Sequence, residues 1–208
     1  MGGSIFLDLC VAPIVGMNGT KVVTRAVTLI THLLEAAGKK VVRVGISQVS
    51  VLGELKKVSP ESVVVFELSS WRLSALPSVR KSPTLSVVTN IYPDHQNYYG
   101  SMEAYVEDKK QIFRFQQASD TLVLNADNAW TQAMGGEAPG AVVWYSKEAG
   151  AASDGFSILG DRIMEAHGAH QEEIANLSGT RLIGEHHREN ALAAVAAVRS
   201  FGIEGGSI

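Results

Sequence analysis

The chain has 208 residues, of which 46% are hydrophobic and 19% charged, a composition typical of a globular protein large enough to bury a full core. Its 18 basic and 21 acidic residues give a net charge of -3, which argues against a nucleic-acid partner. With no membrane-length apolar run, no basic secretion signal and Cys10 as its single cysteine, we expect a cytoplasmic protein without a disulfide or a membrane partner.

Apolar, β-branched segments of strand length alternate with segments of helical periodicity. Strands are predicted over residues 13–16, 41–45, 62–68, 85–91, 121–125 and 141–145. Helices are predicted over residues 22–37, 102–117 and 185–201, and a short β meander over 150–176. This alternation predicts a three-layer α/β fold with a mostly parallel sheet, a P-loop-like topology and a small meander near the C-terminal third.

Residues 11–203 contain no linker-like segment and are predicted to form one domain. Residues 1–10 are predicted to be a leader or linker, and residues 204–208 a second linker. The tetrapeptide G-G-S-I stands at 2–5 and again at 205–208, which is more typical of linker design than of a structural repeat.

The first candidate site is the loop between the first strand and the first helix. Gly16, Asn18, Gly19, Thr20 and Lys21 lie where a glycine-rich loop and a helix amino terminus can bind phosphate. The usual spacing and the usual order of lysine and hydroxyl residue are not present. The alternative interpretation is an ordinary tight turn between a strand and a helix.

Two further candidate sites follow later strands. Glu67 ends an apolar strand, and a carboxylate in that place is a candidate metal ligand or catalytic group, or else a surface residue. Asp94 and His95 follow the next strand, and Lys109 lies on the helix after it. An exposed turn is the alternative interpretation of the Asp94–His95 pair.

Taken together, these segments resemble the central, ATP-binding domain of the Mur ligases, with the D-glutamate-adding branch most similar. The resemblance extends over residues 11–203. Its motifs are E-L-S-S-W at 67–71, Asn90, P-D-H at 93–95, G-S-M-E-A-Y at 100–105, Lys109, N-A-D-N at 125–128, G-E-H at 184–186 and N-A at 190–191.

The resemblance implies a set of roles for matching residues. In the family, ATP and magnesium are the cofactors, and the loop lysine binds the ATP phosphates. Glu67 matches a ligand of one magnesium ion and His95 a ligand of a second, while Lys109 matches a lysine that is carbamylated to become a metal ligand. Asn125, Asn128 and His186 match residues along the nucleotide. The family's amino-terminal and carboxyl-terminal ligase domains are expected to be absent from this chain.

The chain departs from the family mainly in the loops at one end of the sheet. The family has T-G-T-N-G-K-T-T in the phosphate loop. Aligned on the preceding strand, this chain is three residues shorter there; aligned on the following helix, Thr20 and Lys21 reverse the order of lysine and hydroxyl residue. The asparagine expected after Gly45 is missing, and Arg72 and His187 replace a glutamine and an asparagine. We therefore expect a disrupted phosphate loop and no native ligase activity. The expected cofactors are either the family's ATP and magnesium or none.

Clustered departures and the repeated G-G-S-I favour an engineered domain over a degenerate natural homologue. Three alternatives remain for such a chain. The first is new catalysis, either by Lys21 as a Schiff-base amine in an apolar pocket or by histidines 95, 186 and 187. The second is residual magnesium–nucleotide binding, and the third is an inert scaffold. The candidate catalytic residues are Lys21, His95 and Lys109, and the partner of any active site would be a nucleotide or another small molecule.

Overall fold

The computed structural model describes residues 2–21, 23–46, 50–148, 154–180 and 184–205. The helices are α1 Gly2–Leu9, α2 Val23–Ala36, α3 Ser70–Leu73, α4 Gln96–Tyr99, α5 Met102–Lys110, α6 Ala129–Gly135 and α7 Glu185–Ser200, with 3₁₀ turns at Val51–Lys57 and Leu76–Ser78. The strands are β1 Ile14–Asn18, β2 Lys40–Val44, β3 Ser62–Glu67, β4 Leu85–Val88, β5 Thr121–Asn125, β6 Ala141–Ser146, β7 Asp154–Leu159, β8 Arg162–His167 and β9 His170–Asn176.

The described strands form one sheet in the order β2-β3-β1-β4-β5-β6-β7-β8-β9. The pairs from β2 to β7 are parallel, whereas β8 pairs antiparallel with both β7 and β9. Apolar residues of α2 and α7 pack on one face, and those of α1, α3, α5 and α6 on the other. The predicted α/β class and mostly parallel sheet are confirmed.

The predicted elements are present with shifted ends. Each predicted strand contains an observed one or overlaps it, and the predicted meander corresponds to β7, β8 and β9, although residues 150–153 lie outside the described part. The predicted helix over 102–117 ends at Lys110. Its last residues are held against the sheet instead, since the Gln116 side chain donates to the carbonyls of Pro83 and Thr121 at 2.9 and 3.0 Å.

The amino-terminal segment differs from its prediction. A leader or linker is predicted over residues 1–10, whereas Gly2–Leu9 is a helix. Phe6 is fully buried and its ring contacts that of Phe66 edge-on, with centroids 5.3 Å apart. Because this aromatic side chain packs under the sheet, α1 is part of the core. The periodicity of so short a segment does not reveal such a contact.

No helix in the described ranges is both long and apolar enough to cross a membrane.

We expect Phe6→Ala to destabilise the fold by about 3–5 kcal/mol, because it leaves a cavity under β3. Leu9→Ala is the matched control on the same helix, since Leu9 is 58% exposed and its loss should cost less than about 0.5 kcal/mol. Urea unfolding measures both values. Equal effects of the two substitutions would show that α1 does not contribute to the core.

Candidate functional site

The carboxyl ends of β1, β3 and β4 form the edge of the sheet that holds most candidate residues. β1 lies between β3 and β4 and is parallel to both, so the three strands end on the same side. A cavity of about 250 Å³ opens at this edge. Its lining includes Gly19, Thr20, Glu67, Trp71, Asp94, His95, Tyr105 and Lys109. The structure thus brings part of the predicted loop together with all three predicted metal ligands.

A larger cavity of about 700 Å³ lies away from this edge, between α2, β9 and α7. Aliphatic side chains, among them Leu29, Leu33 and Val195, form much of its wall. It contains none of the candidate residues. The smaller cavity is therefore the candidate functional site, because the ionisable candidate side chains converge there.

The first part of the predicted phosphate loop belongs to a strand. β1 continues to Asn18, and Gly16 is paired in register with Phe66 and Ser86 on its two neighbours. A Cβ at Gly16 would meet Pro83 Cβ at 2.9 Å, so glycine is needed there for packing. The predicted role of Gly16 in a phosphate turn has no support from this position.

In the described part of the loop after β1, the N–H groups of Thr20 and Lys21 have acceptors within the protein. Asn90 Oδ1 accepts from the backbone N–H of Thr20 at 3.1 Å and from that of Lys21 at 3.0 Å. The Thr20 hydroxyl accepts from the N–H of Tyr92 at 3.1 Å. In a phosphate-binding loop, such N–H groups point at the anion. Here they are hydrogen-bonded within the protein.

The two lysines of the site lie in opposite environments. Lys21 is exposed, with its Nζ 5.6 Å from the ring centroid of Tyr92, so the expectation that it lies in an apolar pocket is wrong. The buried amine belongs to Lys109, which is 1% exposed. Its Nζ donates to Asn18 Oδ1 at 2.8 Å and to the carbonyl of Gly19 at 3.1 Å. α5 directs this side chain under the loop, which sequence spacing alone does not show.

Burial is the main cause of the shifted pKa of Lys109. Removal from water disfavours the ammonium and lowers the pKa of Lys109 from 10.5 to about 7, while the nearby Asp94 carboxylate opposes this shift. The ammonium also lies 4.6 Å from the ring centroid of Tyr105. The amine is therefore close to its midpoint of protonation at neutral pH.

Glu67 offers one free ligand atom to the cavity. Its Oε1 accepts from the hydroxyl of Thr24 at 3.2 Å, whereas its Oε2 is buried and has no hydrogen-bond partner among the described groups. An orphaned carboxylate oxygen suits a cation. Nevertheless, the described residues contain no set of three or more His, Cys, Asp or Glu side chains that could hold a metal ion. His95 Nε2 lies 3.7 Å from Asp94 Oδ2, and carbamylation of Lys109 to give an oxygen ligand stays a prediction.

An aromatic cluster borders the cavity, and the sequence predictions do not describe it as a cluster. The ring of Trp71 lies 5.6 Å from that of His95, 4.3 Å from that of Tyr98 and 5.8 Å from that of Tyr99. The Tyr99 ring in turn contacts that of Tyr105 at 5.1 Å. These contacts join α3, α4 and α5. Trp71, His95 and Tyr105 belong to the motifs that carry the family resemblance, whereas Tyr98 and Tyr99 stand outside them.

The predicted nucleotide residues lie outside the cavity lining. Asn125 and Asn128 donate from their side-chain amides to the carbonyls of Thr89 and Ile91, at 2.9 and 3.1 Å. Asn128 also caps the amino terminus of α6. The side chain of His186 is 80% exposed on α7. Both asparagines thus support the segment after β4, and a role along a nucleotide stays a prediction for all three residues.

The positions that depart from the family have contacts of their own. Arg72 Nη1 donates to the carbonyls of Gly45 and Glu67, each at 3.1 Å, and so joins the ends of β2 and β3. His187 Nε2 lies 2.8 Å from Arg25 Nη1 and links α7 to α2. Residues 47–49, where the family's asparagine is missing, lie outside the described residues.

The Mur ligase middle domain model matches residues 18–198 of this chain. This protein belongs to the Mur ligase family. The UDP-N-acetylmuramoylalanine–D-glutamate ligase of Symbiobacterium thermophilum is 40% identical over 194 residues, which are 93% of this chain and 42% of that enzyme. The enzyme of the same name from Acetivibrio thermocellus is 39% identical, over 93% of this chain and 41% of the relative. The chain thus spans about two fifths of the length of these relatives.

Solved Mur ligases share the fold. A UDP-N-acetylmuramoyl-L-alanyl-D-glutamate–2,6-diaminopimelate ligase superposes with a TM-score of 0.74 at 19% identity, covering 94% of this chain and 45% of the other. MurF from Acinetobacter baumannii superposes with a TM-score of 0.70 at 14% identity, covering 99% of this chain and 46% of the other. The resemblance to Mur ligase central domains is therefore confirmed for both sequence and fold.

We expect Lys109→Met to remove part of the pH dependence of stability. Between pH 7 and 10.5 the unfolded chain binds the Lys109 proton and the folded chain does not, so folding becomes more favourable as pH rises through this window. The contribution approaches about 1.4 kcal/mol per pH unit where it is steepest. Urea unfolding at several pH values measures it.

The control for this experiment is Lys39→Met, which removes an exposed lysine. This control variant should keep the rise in stability with pH that Lys109→Met lacks. Parallel profiles for the two variants would contradict a buried, deprotonated Lys109.

Proposed function

We propose that this chain is a Mur ligase middle domain, related to the D-glutamate-adding enzymes, that has lost the ability to bind the phosphates of ATP and to support ligation. The observation that supports this proposal most directly is the side chain at position 20, where a threonine stands in the place of the family's lysine. Asn90 Oδ1 accepts from the N–H groups of Thr20 and Lys21 and holds this loop against the segment after β4.

The distribution of charge supports the same conclusion. A threonine stands at position 20, where the family pattern has its lysine, and the ammonium of Lys21 lies over Tyr92 outside the cavity lining. Thr20 has no positive charge, and the cavity lining contains the carboxylates of Glu67 and Asp94 together with Lys109, whose pKa burial lowers to about 7. Without a lysine at position 20, less positive charge faces a triphosphate here than in the family pattern, which weakens its binding.

The loss of phosphate binding explains the expected loss of ligation. In the family reaction, ATP converts a substrate carboxylate into an acyl phosphate, and an amine then displaces the phosphate to form an amide. Protein cations and oriented N–H groups stabilise the transferring phosphoryl group. The loop of this chain provides neither at Thr20 and Lys21.

Divalent cation binding is supported only in part. Glu67 Oε2 has no hydrogen-bond partner and is the atom that would contact a magnesium ion if one binds, whereas Asp94 and His95 line the same cavity without completing a three-residue ligand set with Glu67. Such an ion supplies charge neutralisation for phosphate oxygens. Lys109 in its unmodified form supplies no oxygen ligand, and its amine donates to Asn18 Oδ1 and to the carbonyl of Gly19.

The alternative of Schiff-base catalysis at Lys21 receives no support, because that amine is exposed. Histidine-based catalysis receives none either, since His95 lines the cavity whereas His186 and His187 lie on α7 and outside its lining. That the loop was altered by design stays a prediction.

Calorimetry with Mg-ATP tests the proposal. We expect no saturable binding, with any dissociation constant weaker than about 1 mM. An established Mg-ATP-binding protein titrated under the same conditions provides the positive control. Micromolar binding by this chain would refute the proposed loss of the phosphate site.

A kinetic assay tests the loss of ligation separately. ADP release should not rise when D-glutamate and UDP-N-acetylmuramoylalanine are added together with Mg-ATP. A release rate that depends on both substrates would contradict the proposal even if the calorimetric signal were too weak to detect.

A further inference from the structure

The larger cavity lies between helices α2 and α7 and the edge strand β9. Its volume of about 700 Å³ falls within the range of small-molecule sites, roughly 300–1,000 Å³. Its apolar wall is formed by Leu29 and Leu33 from α2, Ala194 and Val195 from α7, and Ile174 from β9. None of these side chains has a polar atom, so the wall suits a hydrocarbon chain. Leu29 and Leu33 are only partly buried, so a ligand that covers them would remove apolar surface from water.

A β-bulge shapes the part of this wall that β9 forms. The register between β8 and β9 skips Ile174 between the pairs that Ile163 and Met164 form, so Ile174 is the extra residue of β9. A bulge bends its strand and redirects the side chain of the extra residue. Ile174 is buried and lines the cavity. The bulge therefore directs an aliphatic side chain at the edge of the sheet into the cavity.

The rim of the cavity carries a negative charge that no neighbouring cation neutralises. Glu172 lies directly opposite Glu165 across the β8–β9 pair, and directly opposite side chains share a face of the sheet. Glu165 is neutralised by Arg199 of α7, whose Nε donates to Glu165 Oε2 at 2.8 Å. Among the residues that the structure describes, Glu172 has no ion-pair partner, and the cavity lining includes no lysine or arginine. A cation at the rim would therefore be attracted to Glu172.

We propose that this cavity binds a small amphiphilic cation, with its aliphatic chain along Leu29, Leu33 and Ile174 and its ammonium group at the rim beside Glu172. An alkylammonium ion has this chemistry. The cavity lies away from the edge of the sheet that holds the candidate functional site. The inference is therefore independent of the proposed loss of ATP binding.

Calorimetry with alkylammonium chlorides of increasing chain length tests the apolar part of the proposal, below the concentration at which the ions form micelles. We expect octylammonium to bind one ion per chain with a dissociation constant below about 1 mM. From butylammonium to octylammonium the affinity should rise by up to about fourfold per methylene, because each added methylene leaves water for the apolar wall. An affinity that does not depend on chain length would overturn the proposal.

Octanol and octanoate test the charged part. Octylammonium should bind about two- to fivefold more tightly than octanol, the range expected for an exposed ion pair, and octanoate should bind most weakly. Glu172→Gln should remove the preference for the ammonium over the alcohol. The matched control is Glu103→Gln, which removes an exposed carboxylate from α5 on the other face of the sheet and should keep that preference. Equal affinity of the unsubstituted chain for octylammonium and octanol would contradict the role of Glu172.

Substitutions that fill the cavity test the location of the site. Leu33→Trp places a larger side chain at the partly buried wall, and we expect it to weaken octylammonium binding at least about tenfold. Leu159→Trp is the control, because Leu159 is 43% exposed and lies outside the cavity lining. Circular dichroism verifies that both variants are folded. If Leu33→Trp does not fold, Ala191→Leu, which also narrows the cavity, replaces it.

Methyl NMR identifies the residues that the ligand contacts. Octylammonium should shift the methyl resonances of Leu29, Ile174 and Val195 and leave those of Leu73, in the core on the other face of the sheet, unchanged. Binding that appears only after deletion of residues 206–208 would mean that the chain itself fills the cavity, and it would overturn the proposal. Absence of octylammonium binding also overturns it, whereas the outcome of the Mg-ATP titration affects only the proposed function.

Discussion

The central position of β1 between β3 and β4 is the constraint on which the site depends. Ile14, Val15 and Met17 are buried, as are the strands on either side, so hydrophobic packing on both faces determines the register of β1. Parallel register brings the ends of three strands to one edge. Residues far apart in sequence, from Asn18 to Lys109, then meet because their strands cannot slip without exposing apolar side chains to water.

Lys109 shows how this edge is held together after the strands end. A buried ammonium is costly unless its donors are satisfied, and here Asn18 Oδ1 and the carbonyl of Gly19 satisfy two of them. Asn18 also donates to the carbonyl of Leu68, the residue after β3. The amine thus helps to fix the loop against β3, and the same burial that stabilises this arrangement lowers the pKa of Lys109.

The sequence predicts the strands well because their apolar, β-branched runs reflect burial on both faces of the sheet. It also predicts that Glu67 and His95 meet, since strand ends converge in this fold, and the family resemblance adds Lys109 to them. It does not predict that α1 is part of the core, because Phe6 is buried by a distant partner, Phe66. Nor does it reveal which lysine is buried, since this depends on the orientation of α5 relative to the loop.

The sequence of the loop after β1 is consistent with the hydrogen bonds that join this loop to the segment after β4. The hydroxyl of Thr20 accepts a hydrogen bond from the N–H of Tyr92. A protonated lysine at position 20 could not accept this bond, because its ammonium group has no lone pair. A lysine there would therefore lose one of the bonds that join the loop to the segment after β4. Moving the positive charge to Lys21 retains it near Tyr92 without burying it. The order of threonine and lysine thus fits the hydrogen bonds that join this loop to the segment after β4.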